Sequence, residues 1–291
     1  MRRSLSGLTP YLLIAPSLAF LAAFFLIPLA EALLVAFKGT DGGFGLQNFT
    51  RMAGDLNFAP ALRNTLMMVA VAVPIQLGLA LGMALLLQKL DRGRDLVLWI
   101  WTIPLGVSDL AAGIVWLSLL TERGYLNSIL MAFGWIDAPQ RYLTYETPIA
   151  LFAAVVIAEV WRATAIVFII LVSGLQLVPR EYGEAAEVFG ASPWTRFRKI
   201  TLPLLRPSLQ TALILRTILA FEVFAVVLTL GGTNFRVLVG EAYAWQNENQ
   251  NYGVASAYAI VVLALSLAAT VLYLKLLGER RAPREKAGGK P

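Results

Sequence analysis

Six apolar stretches divide this chain, at roughly residues 11–37, 64–87, 97–120, 148–175, 205–230 and 255–277. Each is long enough to cross about 30 Å of hydrocarbon as an α-helix. Such stretches leave few folds open, because in lipid every backbone N–H and C=O must be bonded within the protein. Only 14% of the 291 residues are charged and the mean hydropathy is +0.70; a soluble domain carries about a quarter charged residues. The expected class is therefore an all-α integral membrane protein with six transmembrane helices, for which length says nothing about soluble domains. Pro16 and Pro28 predict a kink in the first stretch. Met1-Arg2-Arg3 precedes a long apolar run with no clear small-residue cleavage site, which reads as a retained signal anchor.

The sequence contains neither cysteine nor histidine. The first absence excludes disulfides and thiolate metal sites and leaves the redox compartment unreadable. The second removes the commonest general base and metal ligand. The net charge of +6 matters mainly through its placement. Sixteen Lys and Arg residues fall at the N-terminus, in or beside the 88–96 and 176–204 loops, and at the C-terminal end. Six fall on the other side: Lys38, Arg51, Arg63, Arg123, Arg141 and Arg236. This bias puts both termini in the cytoplasm. The basic residues form no single stripe with interleaved aromatics, so nucleic acid is not an expected partner. No repeat of a fixed period is evident, nor is an inverted repeat. The charged, Gly/Pro-rich tail from Glu279 to Pro291 is expected to be disordered.

The 176–204 loop is longer than a helix connection needs. It also carries folding signals. Pro179 can open a short helix, and Glu181 and Glu184 fall in its first turns, where the helix dipole favours anions. Ala185 and Ala186 are strong helix formers without bulk, and Gly190 permits a sharp turn. Ser192-Pro193 reads as the cap and first residue of a second short helix, with Arg196, Arg198 and Lys199 towards its end. Leu202-Pro203 and Pro207 then restart the chain towards the membrane. The result is a compact knob that suits docking by a soluble partner; an amphipathic loop lying on the membrane surface is the competing reading.

The spacing Glu184-Ala185-Ala186, Gly190, Ile200 and Leu202-Pro203 resembles the EAA motif of permease subunits in binding-protein-dependent ATP-binding-cassette importers. Asn48-Phe49, Arg63-Asn64-Thr65-Leu66, Gly174-Leu175-Gln176 with Pro179, and Leu230-Gly231-Gly232 are similar to further stretches of the maltose-type and trehalose-type sugar permeases, in the first of their two branches. The resemblance implies a type I importer permease fold in which the motif forms a coupling helix inserted into a cleft of the ATPase. Glu184 and Gly190 would then hold the contact and the turn, and Ala185 and Ala186 would allow the close fit. It also implies the partners: a second homologous permease, two ATPase subunits docking on the 176–204 loop, an external sugar-binding protein, and the lipid bilayer. This chain would hold no cofactor; ATP and Mg would be bound by the ATPase subunits. Val188-Phe189 stands where many relatives carry an acidic residue before the glycine, a departure that could tune the choice of ATPase. The organisation implied is an N-terminal helix and external segment over 1–60, a transmembrane core over 61–277 and a tail over 278–291.

Charges inside spans are costly, about 2.5–3.5 kcal/mol each on insertion scales. Four stand out: Glu159 and Arg162 in the fourth stretch, Arg216 and Glu222 in the fifth. Glu159 lies about 16 Å deep at 1.5 Å per residue, near mid-membrane, and Arg216 reaches a similar level. Glu159 and Arg162 can pair at i,i+3. Two readings overlap, an interhelical charge lock and a polar lining for a sugar pathway. In the family the spans flanking the coupling loop carry the sugar site, and the matching stretch here is around Arg162-Ala163, Ile166 and Arg216 through Val223, which includes Ala220 and Glu222; Glu159 and Trp161 join these candidates from their own chemistry. Trp161 could stack on a sugar ring or simply pack. The external stretch from Tyr243 to Tyr252, rich in amides and aromatics, could touch the binding protein or sugar, or be a solvated loop with interfacial anchors.

No G-x-x-x-x-G-K-[ST] is present, so ATP hydrolysis is not expected of this chain, and no nucleophile–base arrangement points to an enzyme. The expected function is the permease subunit of an ATP-driven importer of a disaccharide such as trehalose or maltose. A glycerol-phosphate importer is an alternative, since Arg162 and Arg216 could hold an anion. An ion-coupled carrier using Glu159 and Glu222 is a further one.

Overall fold

The computed structural model describes residues 5–39 and 42–278; the tail expected to be disordered, from Glu279 onwards, lies outside the described residues. Among the described residues there is no β-strand beyond one isolated bridge, Lys38 to Phe44. In chain order the helices are α1 (Thr9–Phe37), α2 (Gln47–Ala53), α3 (Phe58–Gln88), α4 (Arg94–Thr102), α5 (Asp109–Leu120), α6 (Tyr125–Ala132), α7 (Pro148–Gln176), α8 (Arg180–Val188), α9 (Pro193–Phe221), α10 (Ala225–Gly231), α11 (Leu238–Asn247) and α12 (Tyr252–Leu277). Of these, α1, α3, α7, α9 and α12 are each long and apolar enough to cross a membrane.

Three expectations change. The stretch 97–120 is not one straight span: Arg94–Gly106 and Asp109–Ala132 are long and apolar enough to cross a membrane only together, and they meet at a 98° bend. Pro104 removes a backbone donor, and Ser108 Oγ accepts from Ala111 N at 3.2 Å, starting a fresh helix at Asp109. The stretch 205–230 also breaks, since α9 ends at Phe221 and α10 begins at Ala225. Third, the helix opened by Ser192-Pro193 does not stop. Ser192 Oγ does accept from Thr195 N at 3.2 Å, but the helix runs through a π turn at Phe197–Thr201 into the fifth span. Arg196, Arg198 and Lys199 therefore lie near the start of a 29-residue helix, not at the end of a short one.

The two prolines explain the two π turns. Ala22–Leu26 precedes Pro28, and Phe197–Thr201 precedes Pro203. A helical proline clashes with the carbonyl four residues back, here that of Phe24 or Lys199. Each of those residues sits inside the widened turn, which makes room without ending the helix.

The described residues fall into two compact units, one of those up to Pro60 with Leu238–Leu263, and one of Ala61–Val237 with those from Ala264 onwards. In the first, Asp55 Oδ2 accepts from Trp245 Nε1 at 2.7 Å and from Tyr258 Oη at 3.0 Å. Arg51 lies over the Trp245 ring, 5.3 Å from its centroid. Asn48 Nδ2 donates to the carbonyls of Ala36 and Lys38, both at 3.0 Å, and so satisfies acceptors that the end of α1 leaves open. Trp245 and Tyr252, from the amide-rich external stretch, thus belong to a helix and to the start of α12.

In the second unit two apolar clusters stack along the same helices. One contains Met68 of α3, Leu151, Val155 and Ala158 of α7, and Val226 and Leu230 of α10. The other contains Ala80, Ala84 and Leu87 of α3, Val167 to Leu175 of α7, and Leu205, Leu209 and Ala212 of α9. Small residues let these helices approach closely. A methyl group on Gly113 of α5 would come within 1.8 Å of Thr229 Oγ1 on α10. Gly113→Ala should therefore destabilise the purified chain by about 1–3 kcal/mol through overpacking. Thermal unfolding in detergent should show the loss, with partial recovery in Gly113→Ala/Thr229→Ala; no loss would mean that α5 and α10 are less tightly apposed.

Candidate functional site

Between the two apolar clusters lies a polar layer. Gln76 of α3, Glu159 and Arg162 of α7, and Arg216 of α9 interrupt the apolar sequence of their helices. The Glu159 and Arg216 side chains are 0% and 1% exposed. A charge at that depth is tolerated only if paired and hydrogen-bonded. Arg216 Nη2 donates to Glu159 Oε1 at 2.5 Å, and Arg216 Nε donates to Gln76 Oε1 at 2.5 Å. Gln76 closes the ring by donating from Nε2 to the Glu159 backbone carbonyl at 2.9 Å.

Arg162 extends the network outwards. Its Nη2 reaches Glu159 Oε1 at 3.1 Å, the i,i+3 pairing anticipated from spacing, and its Nη1 lies 2.8 Å from Asp109 Oδ1. Asp109 is the first residue of α5, where the helix dipole favours an anion. Four helices are thus tied by one chain of contacts holding two cations and two anions. Arg216 Nη1 has no hydrogen-bond partner within the described protein, which leaves one buried donor for water.

The other residues singled out from sequence fall in different surroundings. Trp161 meets Trp116 edge to face at 6.2 Å between ring centroids. It also lines an apolar cavity of about 300 Å³ with Trp101 and Pro104. Ala220 and Val223 are buried, Val223 within the first apolar cluster. Glu222 is exposed in the break between α9 and α10. Sequence reasoning missed Gln76 and Asp109. A lone amide inside an apolar run and a carboxylate just after Pro104 were the available signals. Among the described residues no group of three or more carboxylates could hold a metal ion.

The second feature is the knob. Helix α8 carries Glu184 and Ala185 on its exposed surface, with Ala186 half-buried. Gly190 turns the chain at φ 77°, a left-handed conformation that favours glycine. Across the turn, Glu187 of α8 is ion-paired with Arg196 of α9. Ile200 and Leu202 are half-buried at the π turn, and Pro203 is exposed. Val188 and Phe189 at the tip are 86% and 90% exposed. Glu184, Glu187 and Arg196 also border a cleft of about 530 Å³, facing Lys89, Asp91 and Arg94.

Residues 66–277 match the family described as binding-protein-dependent transport system inner membrane component. The chain is 35% identical over 281 residues to the trehalose/maltose transport system permease protein MalF of Thermococcus litoralis, covering 93% of this chain and 94% of that one. It is 32% identical to the sulfoquinovosyl glycerol transport system permease protein SmoG of Agrobacterium fabrum, covering 91% and 89%. Among solved structures it is similar to a bacterial ABC transporter involved in the import of the acidic polysaccharide alginate. That likeness has a TM-score of 0.78 at 21% identity and covers 94% of this chain and 99% of that one.

The network makes a specific demand on Gln76, one of the two residues that sequence reasoning overlooked. Gln76→Leu leaves Arg216 Nε and the Glu159 carbonyl without their partner in a buried setting. Thermal unfolding of the purified chain should show a loss of about 1–3 kcal/mol; unchanged stability would mean that the amide is dispensable.

Proposed function

Because the chain belongs to the family of binding-protein-dependent transport system inner membrane components, we propose that it is one of two permease subunits in an ATP-driven importer of an uncharged sugar, a disaccharide of the trehalose or maltose kind. Full-length similarity to a trehalose/maltose permease carries this reading. The charge balance of the network supports an uncharged substrate. The charges of Arg162 and Arg216 are both balanced by carboxylates, so neither calls for the phosphate of glycerol phosphate or the sulfo group of a sulfo-sugar as a counter-charge.

In this reading both termini and the knob face the cytoplasm, a placement that the Lys and Arg bias supports. Two ATPase subunits, holding ATP and Mg, supply the energy, and an external binding protein delivers the sugar. One ATPase receives the knob through Glu184, Ala185, Ala186 and Gly190. Ile200, Leu202 and Pro203 shape the passage from knob to span. The Glu187–Arg196 pair couples α8 to α9. From Arg196 to Arg216 the helix is continuous over 20 residues, or about 30 Å. A push on the knob would therefore reach the polar layer as a rigid-body displacement. There it acts on the groups around the sugar pathway, among them Glu159, Trp161, Arg162 and Arg216, with Ala220, Glu222 and Val223 near the end of α9.

The test is purification of the complex followed by uptake in proteoliposomes. An ATPase subunit should co-purify with the chain and be lost in Glu184→Arg and in Gly190→Pro. Uptake should require ATP, and ATPase activity should respond to a neutral disaccharide. Ion-driven uptake by this chain alone, or stimulation by glycerol phosphate and not by disaccharides, would overturn the reading.

A further inference from the structure

Asp109 differs from the other members of the network in one respect: its carboxylate side is open. Its side chain is 43% exposed and that of Arg162 is 19% exposed, whereas Glu159 and Arg216 are sealed. Arg162 is the fifteenth of the 29 residues of α7, and Asp109 touches it, so both lie at mid-depth of a membrane span. A charge exposed to hydrocarbon at that depth is strongly disfavoured, and intramembrane charges face the protein interior or a water-filled cavity. The open side of the Asp109–Arg162 pair therefore belongs to a polar space.

The charges along the network cancel only when Asp109 is counted. Glu159 is shared by Arg162 and Arg216, one carboxylate against two guanidinium groups. Without Asp109 the cluster carries one uncompensated positive charge, and Arg162 presents it to the polar space. We propose that Asp109 is a specificity-determining residue: by neutralising Arg162 on the open side, it lets the pathway admit uncharged sugars and leaves no unbalanced positive charge there to hold a competing anion. Its position is secured by local chemistry, because the break at Pro104 and the Ser108 cap place it at a helix N-terminus that stabilises its charge. The inference rests on the sugar-importer reading for its substrate, but the electrostatic part stands on the geometry alone.

The test compares the wild type, Asp109→Asn and Asp109→Glu in the reconstituted complex, with uptake of a neutral disaccharide measured against added inorganic sulfate. Wild-type and Asp109→Glu uptake should be indifferent to sulfate. Asp109→Asn uptake should become sulfate-inhibited, because an unbalanced charge at a cleft concentrates counter-ions several-fold. Sulfate indifference in Asp109→Asn, or equal inhibition of the wild type, overturns the proposal. Absence of any ATP-driven sugar uptake by the wild type counts against the importer reading instead. In that case, or if Asp109→Asn does not transport, the purified full chain decides. Trp161, next to Arg162 in the chain and 37% exposed, is the reporter: quenching of its emission, taken as the difference from Trp161→Phe, should rise several-fold with iodide in Asp109→Asn while acrylamide quenching is unchanged. Equal changes with both quenchers, or none with either, overturn the proposal.

Discussion

A single carboxylate, that of Glu159, is held by two guanidinium groups in the middle of the second unit, between two apolar clusters. Burying it is costly, and only excellent geometry can offset that cost. That requirement accounts for much of the surrounding structure. Helices α3, α7 and α9 must approach closely enough for Gln76, Glu159 and Arg216 to meet, and the bend before α5 must deliver Asp109 to Arg162. A buried ion pair of this kind contributes little net stability compared with apolar packing. Its value here is registration: the helices bond correctly in one alignment, whereas two leucine-lined surfaces in lipid would tolerate several.

In the proposed importer, the same layer would give the knob something to act on. Helix α9 joins the Gly190 turn to Arg216 without interruption, and the π turn before Pro203 preserves that continuity where a proline would otherwise break it. Beyond Phe221 the helix stops and Glu222 lies in an exposed break. A rod ending just past the polar layer is suited to moving that layer against its neighbours.

Much of this was legible in the sequence. Apolar length set the spans, because the bilayer imposes it. The Gly190 turn, the Ser192 cap and the pairing of Glu159 with Arg162 followed from local chemistry with few alternatives. The bend at Pro104 was not anticipated, since averaged apolarity over 97–120 hides a proline and a helix cap inside it. Continuity through Pro203 was missed for the opposite reason: Leu202-Pro203 reads as a restart of the chain, whereas a π turn carries the helix past it. Asp109 and Gln76 escaped notice because their roles depend on partners more than 50 residues away in sequence. No local pattern announces such a contact.

The central claim is that Glu159 and Arg216 are held in the membrane interior as a mutually dependent pair. Denaturant unfolding of the purified chain in detergent should show Glu159→Leu destabilised by about 3–5 kcal/mol, because Arg216 is left buried with its charge uncompensated. Glu159→Leu/Arg216→Met should recover most of that loss. A double variant no more stable than the single one, or a single variant with wild-type stability, would contradict the account.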